Sequence, residues 1–186
     1  MSTQVFDIHS ELIERCRHND RKAQYELYEK YKQAMYHVAL RICHDADEAE
    51  DVLQEAFVNA FTNIHQFAGK SPFGAWLKRI VVNKALSAIG KNKVFTEDIE
   101  TMQVEVADDE PLEDLSYQVD EIKKAVKLLP DGFRYVLTLY LFEGYEHKEV
   151  AEILGISEST SKSQYNRAKK KLKEIILTNR KNERRA

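Results

Sequence analysis

Apolar side chains recur every three or four positions along most of this 186-residue chain, a spacing that lines one face of an α-helix. No β-rich stretch, internal repeat or low-complexity tract interrupts that pattern. It predicts a first helix from about Ser10 to Arg17 and a break at Asn19-Asp20, where the aspartate caps a long helix with Tyr28, Tyr31, Met35, Val38 and Ile42 on one stripe. Asp45 followed by Glu48 is a capping-box-like start for a third helix. One side of that helix is continuously apolar through Ala49, Val52, Leu53, Ala56, Phe57, Ala60, Phe61 and Ile64, while the other shows Asp51, Gln54, Glu55 and Asn59. A loop is expected from His65 to Lys70. Ser71 is then expected to cap, with Pro72 in the first turn, a helix running to about Ile89. There Phe73, Trp76, Leu77 and Ile80 should face inward, and Lys78, Arg79, Asn83 and Lys84 should lie at or beside the surface.

The periodicity disappears from Lys91 to Ser116, where negative charge accumulates and Pro111 interrupts the chain. A segment with so little to bury and so much like charge is expected to be an extended, mobile linker. Helical spacing returns with Val119, Ile122, Val126 and Leu129, stopped by Pro130, and again with Phe133, Val136, Leu137 and Tyr140, stopped near Gly144. Next come Val150, Ile153, Leu154 and Ile156, broken at Gly155, which can supply a left-handed helix end, and Ser157 caps the last helix. That helix carries Tyr165, Ala168, Leu172 and Ile175 on one stripe and Lys162, Ser163, Asn166, Arg167 and Lys170 on other faces. The fold class expected is all-α: an N-terminal helical bundle over residues 1–90, an acidic linker over 91–116, and a four-helix C-terminal domain over 117–186 that contains a helix-turn-helix.

Composition adds a soluble balance, with 43% hydrophobic and 32% charged residues, and no apolar run approaches the ~20 residues a membrane helix needs. The start, MSTQVFDIHSEL, has neither a basic leader nor an apolar signal core, which points to the cytoplasm. Cys16 and Cys43 have no paired spacing and fall on predicted helices, so both are expected to be core residues in a reducing compartment. The net charge of −3 is unevenly spread. Residues 1–90 have 11 Lys and Arg against 12 Asp and Glu, residues 91–116 have 2 against 9, and residues 117–186 have 15 against 10. From Ser161 onward there are 10 cations and only Glu174 and Glu183 as anions, the footprint of a surface that binds phosphates. A helix-turn-helix sets the N-terminal part of its second helix against base edges and uses nearby cations for phosphates, which makes DNA the first partner expected here.

Two helical units in this order, joined by an acidic segment, resemble a bacterial RNA polymerase sigma factor of the sigma-70 family, in its small extracytoplasmic-function group. DVLQEAFVNAF, from Asp51 to Phe61, resembles the family's polymerase-binding helix, and FAGKSPFGAWLKRIVVNKAL, from Phe67 to Leu86, resembles its promoter-melting segment. LPDGFRYVLTLYLFEG, from Leu129 to Gly144, followed by EVAEILGIS and the basic helix, resembles the domain that reads the upstream promoter element. The resemblance implies that Asp51, Gln54 and Glu55 contact the coiled coil of the largest core polymerase subunit, with the polymerase flap as a further contact of the chain. It implies that the loop before the Trp-bearing helix captures a flipped base of the downstream element. Phe67, Gly69, Lys70 and Ser71 would line that pocket, Asn83 would hydrogen-bond a base, and Lys78, Arg79 and Lys84 would hold phosphates. Lys162, Ser163, Asn166 and Arg167 would read the upstream element, with Lys170 on the phosphates. No metal or cofactor is implied. The partners implied are core RNA polymerase, promoter DNA and an anti-sigma protein, often membrane-bound, that clamps between the two domains.

Three positions depart from the family's pattern. Ala68 stands where an arginine is common, Glu146 where a Ser or Thr usually caps the first helix of the reading motif, and Ser161 on the apolar stripe where a valine is usual. Glu146 is expected to cap less well than a hydroxyl. The alternative reading is a stand-alone helix-turn-helix regulator, which explains the C-terminal unit but neither the acidic helix nor the Trp-bearing one. An enzyme is disfavoured: Cys16 with His18 is the nearest approach to a ligand pair, and no zinc spacing, phosphate loop or nucleophile motif is present.

Overall fold

A computed structural model describes residues 7–90 and 119–183. The acidic segment 91–116, expected as a linker, lies outside the described residues. The chain divides into two compact units at Gly90, and every regular element among the described residues is helical.

In the N-terminal unit α1 (Ser10–Arg17), α2 (Arg21–Cys43), α3 (Ala46–Thr62) and α4 (Phe73–Ala88) form a bundle in which α2, α3 and α4 all pack on one another. The local signals that start α2 and α3 are satisfied as the sequence predicts. Asp20 accepts from the backbone N–H groups of Lys22 and Ala23 at 2.9 and 3.2 Å, and Asp45 accepts from that of Glu48 at 2.9 Å. Asn19 and His44 take up left-handed conformations between helices. The core closes around Leu27, Ile42, Ile64, Phe73, Leu77 and Leu86, all at most 1% exposed. Tyr28 and Tyr31 are half-buried at the edge of the stripe, below the full burial of Met35, Val38 and Ile42.

The start of α4 differs from expectation. The helix begins at Phe73 with Pro72, not Ser71, at the cap position, and no side chain at that position closes it. The first amide is met from far away in the chain, by Asp7 Oδ2, which accepts from Phe73 N at 2.6 Å. Gly74 is needed close by, because a Cβ there would lie 2.9 Å from Cε1 of Tyr31.

In the C-terminal unit α5 (Val119–Lys127) and α6 (Asp131–Leu137) precede a π-helical turn over Thr138–Phe142, then α7 (His147–Leu154) and the 26-residue α8 (Glu158–Glu183). The π turn replaces the last part of the helix expected up to Gly144, and Glu143 N donates to Thr138 O at 3.0 Å across it. Val126, Leu129, Leu137 and Ala168 form one buried cluster, with Ile122, Phe133, Tyr165, Leu172 and Ile175 packed against it. Arg180 Nε and Nη2 donate to the two carboxylate oxygens of Glu121 at 2.6 and 2.7 Å, which ties the far end of α8 to α5.

Replacing Leu77, which has no exposed surface, with Ala should lower the stability of the N-terminal unit by about 2–5 kcal/mol. Urea unfolding measures this, and an unchanged midpoint would place Leu77 outside the core.

Candidate polymerase and nucleic-acid surfaces

Helix α3 has one face that the bundle can use and one that it cannot. Ala49, Ala56 and Ala60 are fully buried, and Val52, Leu53 and Phe57 are at most 6% exposed. At about 100° per residue, Asp51, Gln54 and Glu55 fall opposite that set, and all three are exposed. Val58 shares their side and is 67% exposed, an apolar residue among polar ones. The periodicity that marks core positions gives no reason to expect Val58 there, and its surroundings are the only signal. Beside this face a groove between α2 and α3 is lined by Tyr28, Lys32, Gln33, Tyr36, Glu50, Leu53 and Gln54. The sequence stripe assigns Tyr28 to the core, and its half-burial puts its edge into the groove.

The loop between the 3-10 turn at Ile64–Gln66 and α4 carries half of the residues expected to meet a separated DNA strand, and α4 carries the other half. Gly69 adopts φ of 66°, where glycine avoids the steric penalty of other residues. Lys70 is exposed, and Gly69 and Ser71 are half-buried. Phe67 is only 5% exposed. Its ring meets Phe73 edge-on at 5.5 Å and Trp76 at 5.4 Å, so it forms the floor beneath the loop rather than an open stacking surface. Trp76 is half-buried, with Phe73 5.6 Å away.

The polar residues of α4 do not share one face. Arg79 and Asn83, one turn apart, lie on the same side as Trp76, while Lys78 and Lys84 fall to either flank at about 100° per residue. Lys84 crosses to α3, where its Nζ lies 3.2 Å from Glu55 Oε2. A residue expected on DNA and one expected on polymerase therefore meet in a single ion pair, which the sequence could not show because 29 positions separate them.

In the C-terminal unit the turn between α7 and α8 is built as the sequence predicts. Gly155 takes φ of 70° at the end of α7, and Ser157 Oγ accepts from Thr160 N at 3.0 Å to start α8. On α8, Ser161, Ala168 and Ile176 are buried. Lys162, Ser163, Asn166, Arg167 and Lys170 lie away from that buried side. Lys162, Ser163, Asn166 and Lys170 are exposed, and Arg167 is partly so. Lys162 Nζ lies 2.6 Å from Glu158 Oε1, and Ser163 Oγ donates to Thr160 O at 3.0 Å, so both are held in place on the open face.

Two departures from the family's pattern acquire a physical account. Glu146 opens α7 with its backbone N–H donating to Glu149 Oε2 at 2.8 Å, so the start is closed by carboxylates where a hydroxyl is usual. Ser161 is fully buried, yet its hydroxyl has a partner, His147 Nδ1 at 2.9 Å. His147 stacks on Tyr140 with ring centroids 4.1 Å apart and meets Tyr165 edge-on at 5.6 Å. A polar bond inside an aromatic cluster thus joins the two helices of the motif where a valine would supply only packing. Burial, with Lys162 adding a like charge, holds the His147 imidazole below its ordinary pKa, against a smaller opposing pull from Glu158. Burial also pushes the Cys16 thiol up to about 11 and the Cys43 thiol up to about 12, which keeps both protonated at neutral pH. Cys16 is fully buried and Cys43 half-buried.

Comparison with known proteins gives a consistent picture. Residues 27–94 match the family model "Sigma-70 region 2", and residues 120–172 match "Sigma-70, region 4". The chain is 32% identical to the RNA polymerase sigma-H factor of Pseudomonas aeruginosa over 192 aligned positions, covering 95% of this chain and 96% of that protein. It is 29% identical to the ECF RNA polymerase sigma factor SigW of Bacillus subtilis, covering 88% and 94%. Among solved structures, the sigma factor RpoE of Bartonella quintana, crystallised with the anti-sigma factor NepR, aligns with a TM-score of 0.57 at 25% identity, covering 82% of this chain and 96% of that one. CnrH, solved with the cytosolic domain of CnrY, aligns with the same TM-score at 22% identity, covering 90% and 96%, and supports the fold.

The depressed pKa of His147 has a signed consequence. In the unfolded chain the imidazole titrates near its ordinary value of 6.5; in the folded unit it titrates lower. Its contribution to stability is therefore full above pH 6.5 and is lost as pH falls through the folded value. Chemical denaturation from pH 7.5 to 5 should show a steeper loss for the native chain than for His147→Phe. Equal slopes would contradict the burial of a neutral imidazole.

Proposed function

The chain belongs to the sigma-70 family, in its extracytoplasmic-function group, and on that premise we propose how its residues divide the work. As a sigma factor it binds core RNA polymerase and directs promoter recognition, DNA melting and the start of transcription. The chemistry of RNA synthesis belongs to the polymerase, and this chain contributes binding energy and geometry. The observation that carries the division of labour is the presence of two polar faces, on α3 and α8, each lying opposite a closed core.

In this reading residues 1–90 bind core polymerase and melt the downstream element, 91–116 link, and 117–186 read the upstream element. Asp51, Gln54 and Glu55 dock on the coiled coil of the largest subunit, with Val58 supplying apolar contact within the patch. Charged and amide groups around a small apolar centre suit a basic partner helix. The loop from Phe67 to Ser71 receives an extruded base. Extrusion costs a few kcal/mol, which stacking and hydrogen bonds to the freed base edge must offset. Arg79 and Asn83 extend that surface along α4, and Lys78 and Lys84 flank it. On α8, Lys162, Ser163, Asn166 and Arg167 face base edges in the major groove, and Lys170 faces the phosphates. The polymerase flap is a further partner of the chain.

An anti-sigma protein is a further partner in this reading, supported by the co-crystallised relative from Bartonella quintana. No helix among the described residues is long and apolar enough to cross a membrane, and we place the chain's work in the cytoplasm, where polymerase and template are. A stand-alone helix-turn-helix regulator is not favoured, because it gives no role to the N-terminal unit that matches sigma-70 region 2.

Replacing Asp51, Gln54 and Glu55 together with Ala should abolish core binding in a pull-down while leaving the circular dichroism spectrum intact; retained affinity would remove the α3 face from the interface. Arg167→Ala should weaken promoter binding by the holoenzyme by about 1–3 kcal/mol, with the loss confined to the upstream element. A footprint unchanged at that element would withdraw the role of Arg167.

A further inference from the structure

We infer that α1, with the residue leading into it, braces the strand-capturing loop at both ends, and that Arg17 and Asp7 are positioning residues for capture of the downstream promoter strand. The inference rests on the proposal that residues 67–71 receive that strand. The loop bridges the 3-10 turn and α4, and its two ends are fastened from the same distant element. At its start Arg17 Nη2 donates to the Phe67 carbonyl at 2.7 Å, across 50 positions of sequence. At its end Asp7 Oδ2 accepts from Phe73 N at 2.6 Å, across 66 positions.

Both fasteners are themselves held. Arg17 Nη1 donates to Glu14 Oε2 at 3.0 Å, one turn back along α1. The other oxygen of Asp7 accepts from His9 N at 2.8 Å, and the Asp7 carbonyl accepts from Ser10 N at 3.1 Å where α1 begins. His9 packs edge-on against Tyr31 at 5.7 Å, and Tyr31 packs edge-on against Phe73 at 5.5 Å, so the same junction is also closed by rings. Both bonds have one charged partner, which makes them shorter and stronger than neutral ones, and the Asp7 carboxylate also sits favourably at the N-terminus of α4. Each side chain is spent on a backbone group at a loop end, so its effect on DNA passes through the loop. That effect is to fix the loop's end points before a strand arrives, which lowers the ordering cost of binding.

The test uses full-length chain assembled with core polymerase, and as probe a single-stranded oligonucleotide carrying the non-template strand of a promoter that the holoenzyme transcribes. Arg17→Ala and Asp7→Ala should each weaken binding of that oligonucleotide roughly tenfold or more, the loss expected for one charge-assisted hydrogen bond. Affinity for core polymerase and the footprint on the upstream element should remain unchanged. Asp7→Asn keeps an acceptor oxygen but loses the charge, and should bind the strand at a level between the native chain and Asp7→Ala. Lys70→Ala with Ser71→Ala tests the loop itself. If that loop variant loses the strand while Arg17→Ala and Asp7→Ala bind normally, the brace is wrong and the loop's role stands. If none of these variants loses the strand, both fall. If Arg17→Ala and Asp7→Ala lose core affinity in the same proportion as strand affinity, the two residues support the fold and do not position the loop.

Discussion

Helix α3 cannot bury both of its sides, and the docking role proposed for the N-terminal unit rests on that constraint. Its apolar side packs against α2 and α4 with little exposed surface. Burying that much apolar area drives the bundle together, and the geometry of a 3.6-residue turn then leaves Asp51, Gln54, Glu55 and Val58 no place except solvent. The same division recurs on α8, where Ala168 and Ile176 close the core and the opposite side carries cations and amides. Packing and the proposed recognition thus draw on opposite faces of the same helices.

Much of this is legible in the chain itself, for a local reason. The caps at Asp20, Asp45 and Ser157 and the left-handed break at Gly155 depend on residues within a few positions of one another, and each forms as the sequence predicts. The contacts that escape sequence reasoning mostly join residues far apart. Asp7 on Phe73, Arg17 on Phe67 and Lys84 on Glu55 are each set by how helices pack, which no short window contains. His147 and Ser161 lie only 14 positions apart, but a turn intervenes, and without its partner Ser161 reads as a flaw in an apolar stripe. Phe67, expected in a pocket lining, is more buried than that role suggests because the ring cluster beneath the loop draws on three separate positions. The expected linker over 91–116 has no counterpart among the described residues to compare.

In the proposed reading the chain is an adaptor. Its two thiols are held protonated by burial, and Asp51 and Glu55 on α3 and Lys162 and Lys170 on α8 are exposed. The C-terminal unit adds a polar bond, His147 to Ser161, beside the ring cluster of Tyr140, His147 and Tyr165. Such a bond is costly to leave unmade, so the buried Ser161 hydroxyl depends on His147. The Lys84–Glu55 pair shows the two kinds of surface meeting at one edge of the N-terminal unit. Being exposed, it contributes little to stability, so the polymerase and phosphate contacts proposed for its two partners would cost little to make in its place.

The central claim is that this chain confers promoter-specific initiation on a polymerase that lacks it. Run-off transcription with purified core polymerase and genomic fragments tests that claim most directly. Discrete transcripts from defined start sites that appear only when the chain is added are the predicted result. Core polymerase that gives the same products with and without the chain, on every fragment, would contradict it.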